Sequence, residues 1–504
     1  MKKIEKYGLF EFTMPGIGGE IPEAVFRCED RCITVRGFYE NEDHATVRFM
    51  PDTLGIWSCE MNWAGKTDCV QFECVPNTGL NHGPVRTHEM HFRYADGTRY
   101  IPCGTTCYAW IHQKPEIIRQ TLETLSTAPF NKIRMCVFPK SMPYNQNDPD
   151  FYPFQQRADG SWDVSKPDMR YWKHLDRMLL ELQRLGIEAD LILFHPYDRW
   201  GFATMPQEDN LRYLSYAIRR LSAYRNLWWS LSNEYEFCFA KILADWDAYG
   251  EMLAKDDPYH HLIGAHNWIT AYPKRDWLTH VSFQGKEATD VFELRAGYQL
   301  PVIVDECGYE GDIEFAWGNL SCREFMDRVW TITVFGCYAM HGETFHRNDE
   351  VLWWAKGGRL HGQAPERIRF LREVLESLPG PMEPACTEAV KDPNGNATTP
   401  GQKALFERIW NMGSEKAKSQ IRREMMRPIG QHPDYRLYYL GSGANSLYTL
   451  NLPENGSYSV ELLDTMAPKR WEAVSGVHGK ICIGLPGKEG MAILVTRLSG
   501  DTLA

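Results

Sequence analysis

Several features that assign proteins to membranes or to export are absent from this 504-residue sequence. No stretch approaches the roughly 18 apolar residues of a membrane span. The basic start, Met1 to Lys6, is not followed by the apolar run of a secretory signal, because acidic residues such as Glu11 and Glu20 interrupt it. If the chain is complete, these absences predict a cytoplasmic protein without membrane contact.

Paired cysteine motifs are also absent. The 14 cysteines stand singly, and no C-x-x-C pair occurs. Cys28 and Cys32, like Cys103 and Cys107, have three residues between them, which is a weak metal signal without a second pair. Many cysteines lie inside apolar strand patterns, so the sequence predicts buried thiols in a reducing compartment, with no disulfide framework and no metal.

The common cofactor motifs are missing as well. There is no P-loop, no G-x-S-x-G elbow and no G-x-G-x-x-G after a strand, and residues 88–91 (HEMH) lack the i,i+4 histidine spacing of a zinc helix. We therefore expect no cofactor. The formal net charge of −11 argues against nucleic acid as a partner, because that affinity depends on Lys and Arg at phosphates.

Aromatic residues, in contrast, are plentiful. They make up 13% of the chain, with 17 Trp and 24 Tyr. Large packed cores would explain this excess, and so would a set of flat platforms for stacking sugars. The composition alone leaves both explanations open.

The hydrophobic pattern changes twice along the chain, which predicts three domains. Up to residue 86, short segments alternate at period two between turn signals, as in a small Ig-like β-sandwich. From 87 to 380, strand and helix patterns alternate. From 381 to 504 the alternation of helix and strand stops, and strand-like segments with Gly-rich turns predict a second β-sandwich.

The central segment has the pattern of an α/β protein. Eight strands can be counted, each followed by a connection long enough for a parallel crossover, which predicts a (β/α)8 TIM barrel. The predicted strands are 100–104, 133–138, 189–194, 227–232, 262–265, 280–283, 302–305 and 333–340. The predicted helices are 115–125, 165–185 with Ser165 as its cap, 207–223, 239–254, 289–297, 320–331 and 365–377. Residues 139–163 form a long aromatic insertion, and such loops are more often functional than accidental.

Two of these strands end on an acid, Glu234 and Glu306. An unpaired buried charge is costly, so such an acid either pairs with a cation or faces a cleft. The active site of a (β/α)8 barrel lies at the C-terminal ends of its strands, and a pair of carboxylates there can cleave a glycosidic bond. Glu236 and Asp305 are the competing acids in the same segments. We expect Glu236 to lie in the loop and Asp305 to point towards the helix layer.

Three segments resemble the apiosidase-like catalytic domains, which are related to the retaining (β/α)8 glycoside hydrolases. They are residues 100–110 (YIPCGTTCYAW), 194–202 (FHPYDRWGF) and 229–235 (WSLSNEY). The resemblance implies that Glu234 is the acid/base and Glu306 the nucleophile. It also implies that Asn233 contacts the sugar 2-hydroxyl and that Arg134 braces the nucleophile, although an Arg in a strand can equally be a surface residue. One departure is Gln284 at the sixth strand end, where His or Tyr is common.

Further candidate sugar contacts follow other strands. After the third, fifth and eighth strands they form small groups that offer polar atoms with a flat apolar face, which is how sugars are held. The candidates are Trp110, His195, Asp198, Trp200, His266, Asn267, Gln284 and Glu343.

The sequence thus predicts a retaining, exo-acting glycosidase for short oligosaccharides or glycosides. An alternative is a carbohydrate-binding or scaffold protein whose barrel has lost catalysis. A second alternative is an inverting enzyme, in which Glu234 or Asp198 works with a distant base. The sequence leaves open whether the chain forms a homo-oligomer.

Overall fold

The structure, a computed structural model, describes residues 1–15, 21–41, 43–63, 65–286, 288–385, 399–425 and 428–498. Its contacts divide the chain into two compact units. The first comprises Met1–Gln284 with Gly342–His361, and the second Gly285–His341 with Gly362–Ala504. The predicted domain boundaries at residues 86 and 380 stay predictions.

The N-terminal part of the first unit consists of two sheets that share an apolar core. Phe10 stacks on Phe72 of the other sheet at 4.6 Å, and Phe26 stacks on Phe49 at 3.9 Å. This is the arrangement of a β-sandwich, as the alternating segments up to residue 86 predict. The strands are Lys2–Glu5, Phe10–Pro15, Glu23–Cys28, Arg31–Arg36, Phe38–Asn41, His44–Phe49, Gly55–Trp63 and Lys66–Val75.

The predicted strand 100–104 is wrong. An antiparallel meander of Val85–His88, His91–Tyr94 and Arg99–Tyr100 uses Tyr100, which pairs with Phe92. Pro102 cannot donate to a ladder, so it separates this meander from the next strand. The first parallel strand is Gly104–Thr106.

Five parallel strands form the centre of the first unit, and four helices connect or follow them. In sheet order the strands are Gly104–Thr106, Lys132–Cys136, Glu188–Phe194, Leu227–Ser232 and Ile263–Gly264, and Val281–Gln284 follows through a bridge between His266 and Ser282. The helices are Pro115–Leu125, Met169–Arg184, Gln207–Leu221 and Leu243–Asp256. Because the strands are parallel, their C-terminal ends lie at one edge of the sheet. The predicted second to sixth strands are confirmed, and closure into an eight-stranded barrel stays a prediction.

Ser165 does not cap a helix. It lies in strand Trp162–Pro167, which pairs with Phe154–Gln156, and its hydroxyl donates to Asp163. The helix begins at Met169 because Asp168 is its cap and accepts the Arg170 amide at 2.9 Å. The aromatic insertion therefore contains a hairpin.

The first unit also includes strand Glu343–Thr344 and helix Trp353–Lys356, and the second unit begins with helix Ala288–Tyr298. Two parallel strands follow, Val302–Glu306 and Tyr338–Ala339, together with the short strand Glu310–Gly311 and helices Cys322–Val334 and Ala364–Ser377. The predicted eighth strand, 333–340, is wrong in extent. The apolar run from 333 begins as the last turn of helix Cys322–Val334, and Gly336 at φ 71° separates that helix from the short strand.

The C-terminal part of the second unit consists of a six-stranded and a two-stranded antiparallel sheet. Leu450 and Ile483 of the small sheet share one core with Val460 and Ile493 of the large sheet, so the two sheets form one layered β structure, as the strand-like segments predict. The strands are Glu383–Pro384, Ile429–His432, Tyr435–Tyr439, Leu447–Asn451, Tyr458–Asp464, Lys469–Val477, Lys480–Gly484 and Met491–Arg497. The helices are Pro400–Met412 and Glu415–Met425.

Within the described ranges, no helix is both long enough and apolar enough to cross a membrane.

A buried ion network connects the N-terminal sheets to the helices of the first unit. Arg48 donates to both carboxylate oxygens of Asp176 at 2.8 Å, and Arg220 donates to one of them at 2.5 Å. Burial alone would raise the pKa of Asp176, but the two guanidinium groups lower it below its usual value. The carboxylate therefore compensates two buried cations.

We expect Asp176→Asn to lower the free energy of unfolding by about 3–5 kcal/mol, because it removes the buried carboxylate that two guanidinium groups share and leaves Arg48 with Glu11 and Arg220 with Glu40. The folded-state pKa of Asp176 is lowered, so its stabilisation is present above about pH 4 and is lost as the pH falls through that pKa. Urea unfolding at pH 7 and at lower pH measures both effects. Glu181→Gln, on the same helix but in the exposed pair with Arg184, is the control and should cost less than about 1 kcal/mol. Equal losses for the two variants would contradict the role of the network.

Candidate active site

Glu234 lies directly after the buried strand Leu227–Ser232 and Asn233, at the carboxyl edge of the parallel sheet. Its backbone has φ 47° and ψ 62°, the left-handed region that a residue with a side chain seldom adopts. Its amide donates to Nδ1 of His266 at 3.3 Å, which helps to hold this conformation. Strained backbone of this kind is concentrated at functional sites.

The Glu234 carboxylate is held from two sides. The Tyr197 hydroxyl donates to Oε2, and the side-chain amide of Gln284 donates to Oε1 at 3.0 Å. Gln284 is itself held by Asn267, whose Oδ1 accepts the Gln284 backbone amide at 2.9 Å. The two donors fix the orientation of the carboxyl group at the end of its strand.

Asn233 is oriented by a separate pair of donors. Its Oδ1 accepts from the Tyr108 hydroxyl and from Nη1 of Arg134, each at 2.9 Å, and these two donors are 3.2 Å apart. Because a guanidinium group can only donate, the Asn233 oxygen must face Arg134. The amino group of Asn233 is then a donor for other partners.

Arg134 is 1% exposed, so the alternative that it is a surface residue is wrong. It lies in strand Lys132–Cys136 opposite Asp190 of the next strand, whose Oδ2 is 3.9 Å from its Nε. Asp190 also forms an ion pair with Lys132. Lys132 and Arg134 are therefore both paired with Asp190, as buried charges must be paired.

Glu236 has a structural position. Its carboxylate accepts the backbone amides of Trp268, Ile269 and Thr270 at 2.8–3.0 Å, and so holds the loop that follows the fifth strand. The prediction that Glu236 lies in the loop is confirmed, since it belongs to a short 3-10 helix after Glu234.

The candidates after the third strand lie in the same unit but outside these hydrogen bonds. Nε2 of His195 donates to the Phe138 carbonyl at 3.1 Å, and burial, with the nearby charge of Lys140, lowers the pKa of His195 to about 3. Asp198 accepts the backbone amides of Trp200 at 2.8 Å and Ala203 at 2.7 Å, which shapes the loop. The half-buried Trp200 donates from its indole to Asp148 at 2.9 Å.

Trp110, a candidate sugar contact, has no exposed ring face. Trp110 lies in a short 3-10 helix and its side chain is completely buried, so its ring belongs to the packing of the interior. Glu343 is also buried, and its Oε1 accepts the His361 amide at 2.6 Å.

In the second unit, Glu306 is the last residue of the buried strand Val302–Glu306 and is 9% exposed. Gly308, at φ 89°, lets the chain turn away directly after it, and the guanidinium of Arg328 donates to the Cys307 carbonyl at 2.5 Å. Burial, with a contribution from the charge of Glu306, raises the pKa of Cys307 to about 12. Glu306 thus ends its strand as predicted.

Two hydroxyl donors of the site, Tyr108 and Tyr197, were not among the candidates taken from the sequence. Both lie in segments that carry the family resemblance, two residues from the chosen candidates Trp110 and His195. Their position within these segments, close to the predicted strand ends, is the sequence signal that indicates them.

Over the part of the chain that the structure describes, no three His, Cys, Asp or Glu side chains converge as metal ligands. The 13 cysteines in that part form no disulfide.

Comparisons with known proteins place these residues in a family. The sequence profile described as "Apiosidase-like, catalytic domain" matches residues 86–371, and the profile of a domain of unknown function (DUF5605) matches residues 425–496. A solved structure from Bacteroides vulgatus, described as a candidate glycoside hydrolase, is 32% identical with a TM-score of 0.85, over 99% of this chain and 100% of that one. No curated protein matches the chain.

A second structure from Bacteroides vulgatus, a glycoside hydrolase of family 5, has 14% identity and a TM-score of 0.64, over 85% of this chain and 95% of that one. A third, described as "Glycoside hydrolase", has 13% identity and a TM-score of 0.61, over 84% and 99%. At these identities the likeness shows a shared fold.

The family profile and the 32% identical relative define the protein as a glycoside hydrolase. Within that class, the chain belongs to the apiosidase-like catalytic domain family.

Proposed function

We propose that the protein is a retaining glycoside hydrolase in which Glu234 is the acid/base and Glu306 the nucleophile. The observation that supports this most is the arrangement at Glu234. A carboxyl group at the end of a buried strand is held by Tyr197 and Gln284, beside an Asn233 that is oriented by Arg134. This is a rigid, pre-organised acid, which general acid catalysis requires.

The proposed reaction has two steps. In the first, the Glu306 carboxylate forms a bond to the anomeric carbon while the glycosidic C–O bond breaks and Glu234 gives its proton to the leaving oxygen. In the second, Glu234 takes a proton from water, the water oxygen bonds to the anomeric carbon, and the bond to Glu306 breaks. The sugar leaves with its original anomeric configuration.

The charge of Glu306 determines whether Glu234 acts as an acid or as a base. The negative Glu306 keeps Glu234 protonated in the free enzyme, because two neighbouring carboxylates resist being charged together. Once Glu306 is glycosylated, its charge is gone and Glu234 ionises readily, so that it can act as a base. We propose that the (β/α)8 barrel, with a β-sandwich on each side in sequence, supplies this frame.

Around this pair, we propose that the amino group of Asn233 donates to the sugar 2-hydroxyl and that Arg134 positions Asn233. Gln284 orients Glu234 rather than reading the sugar. His266 and Asn267 support Glu234 and Gln284 from below. His195, Asp198, Trp200 and Glu343 stay proposals as sugar contacts.

We propose that the substrates are short oligosaccharides or glycosides in the cytoplasm, and that the enzyme removes one terminal residue. The cysteines of the described chain form no disulfide, which suits a reducing compartment. The aromatic insertion suits a wall of a closed pocket, because its hairpin is anchored by Trp162, whose indole donates to the Trp200 carbonyl at 2.7 Å.

A product time course on a long oligosaccharide of the right linkage tests exo-cleavage. We expect monosaccharide from the earliest time point, with the chain shortening by one unit at each step. Early accumulation of mid-sized fragments would contradict the pocket.

A screen of chromogenic glycosides with the purified full chain tests the proposed function itself. We expect turnover of at least one glycoside and its loss in Glu306→Gln. If the chain binds sugars by calorimetry, hydrolyses none, and binds equally after Glu234→Gln, the non-catalytic alternative is correct.

A further inference from the structure

Lys140, at the beginning of the aromatic insertion, is a buried cation. Lys140 is only 2% exposed. The backbone is fixed too, because Nδ2 of Asn145 donates to the Lys140 carbonyl at 2.6 Å. Lysine is seldom fully buried without a reason, since desolvation of its ammonium group is costly.

The ammonium group lies among aromatic faces. Its Nζ is 3.2 Å from the centroid of the Tyr108 ring, 4.4 Å from that of Tyr197 and 5.6 Å from that of Trp354. All three distances are within the roughly 6 Å at which a ring attracts a cation, and the attraction is strongest where water is excluded.

These two tyrosines are the residues that hold the proposed acid/base and its neighbour. The Tyr197 hydroxyl donates to Glu234, and the Tyr108 hydroxyl donates to Asn233. One cation therefore contacts both rings whose hydroxyl groups orient the Asn233–Glu234 pair.

We propose that Lys140 is a positioning residue for this pair: its ammonium group clamps the Tyr108 and Tyr197 rings and adds a positive potential at Glu234. The proposal rests on the proposed function, in which Glu234 is the acid/base. A cation at the face of a phenol also makes its hydroxyl a stronger donor, because it stabilises the electron density left on the oxygen.

Other charged and titratable groups face this part of the site. The guanidinium group of Arg134 is 5.8 Å from the Tyr108 ring centroid, and the charge of Lys140 helps to lower the pKa of His195. His266 accepts the Glu234 amide. With Arg134 and the neutral His195 unchanged, removal of the Lys140 charge should raise the pKa of Glu234, because a nearby cation favours the carboxylate.

The test compares three variants of the full chain. Lys140→Met removes the charge and keeps the length, and Lys140→Arg keeps the charge. Lys241→Met is the matched control, because Lys241 is also buried but has other contacts: it donates to the Ala203 carbonyl at 2.8 Å, and the ring it faces, at 5.1 Å, is that of Phe194. Thermal unfolding checks that each variant folds.

The first readout is the pH profile of kcat/KM, whose basic limb reports the acid of the free enzyme. In Lys140→Met we expect this limb to move to higher pH by about half to one unit, and kcat to fall by about 10- to 100-fold with little change in KM. Lys140→Arg should restore most of the loss, and Lys241→Met should leave the limb in place. A fall in stability without movement of the limb would overturn the proposal.

The second readout needs no turnover. Infrared pH titration, with the spectrum of Glu234→Gln subtracted, measures the protonation of Glu234 directly. A higher pKa in Lys140→Met supports the proposal even if no glycoside is hydrolysed, in which case the proposed function alone has failed. An unchanged pKa overturns the proposal whatever the activity. If Lys140→Met does not fold, Lys140→Gln also removes the charge, and it must raise the same pKa.

Discussion

Glu306→Gln is expected to lower kcat by at least about four orders of magnitude while the fold stays intact, since losses of this scale follow removal of a covalent nucleophile. Gln cannot attack the anomeric carbon, and no glycosyl-enzyme can form. The change is small in volume and removes a charge at a strand end that is 9% exposed, so the thermal unfolding temperature should change little. Steady-state kinetics on the substrate found by screening, beside thermal unfolding, measures both.

Glu376→Gln in the same unit is the control, because that carboxylate forms an exposed pair with Arg372. It should retain full activity. Glu306→Ala offers a further check: azide should occupy the space of the lost carboxylate, attack the anomeric carbon from that side and give a glycosyl azide of inverted configuration. If Glu306→Gln kept wild-type rates, the nucleophile would have to be another group.

Glu234→Ala is expected to reduce activity according to the leaving group. A positioned general acid contributes about 10²- to 10⁴-fold, so alkyl and sugar leaving groups should lose about that factor. Nitrophenolate leaves without a proton, so the first step on nitrophenyl glycosides should be nearly unaffected and the glycosyl-enzyme should accumulate as a burst. Rates across a series of aryl glycosides give the dependence on leaving-group pKa, which should become steep.

The matched control is Glu236→Gln, two residues along the chain. Its carboxylate holds backbone amides of the 268–270 loop, so the variant should lose stability without a steeper leaving-group dependence. Azide should rescue Glu234→Ala with retained configuration, since it enters from the side that water uses. An equal loss of rate for all leaving groups would contradict the acid/base role.

The sequence predicted best where a local pattern decides the structure. Helix 115–125 and strand 227–232 have the bounds predicted for them, because an amphipathic period begins at Pro115 and a mainly apolar run precedes the polar pair Asn233 and Glu234. The predictions were wrong where contacts between residues distant in the sequence decide the structure. Tyr100 joined a meander with Phe92, and the apolar run 333–340 began as the end of a helix.

The residues of the site also differ in how well the sequence predicts them. Glu234 could be found because an acid after a buried strand stands out in the sequence, and Asn233 and Arg134 were found through the family resemblance. Tyr108 and Tyr197 lie in the segments of the resemblance, but no residue pattern distinguishes them from their neighbours, and Lys140 lies in none of these segments. Nothing in the local pattern favours Tyr108 over Trp110, although the structure makes one a donor to Asn233 and buries the other completely.

Trapping of the covalent intermediate tests the central claim most directly. A 2-deoxy-2-fluoro glycoside of the substrate sugar with a good leaving group should inactivate the enzyme in a time-dependent way. The fluorine slows both the formation and the hydrolysis of the glycosyl-enzyme, and the good leaving group makes its formation fast again, so the intermediate accumulates. Peptide mass spectrometry should then find one sugar per chain on Glu306, and Glu306→Gln should take up none. A label on another carboxylate, or hydrolysis with inversion and no label, would contradict the account.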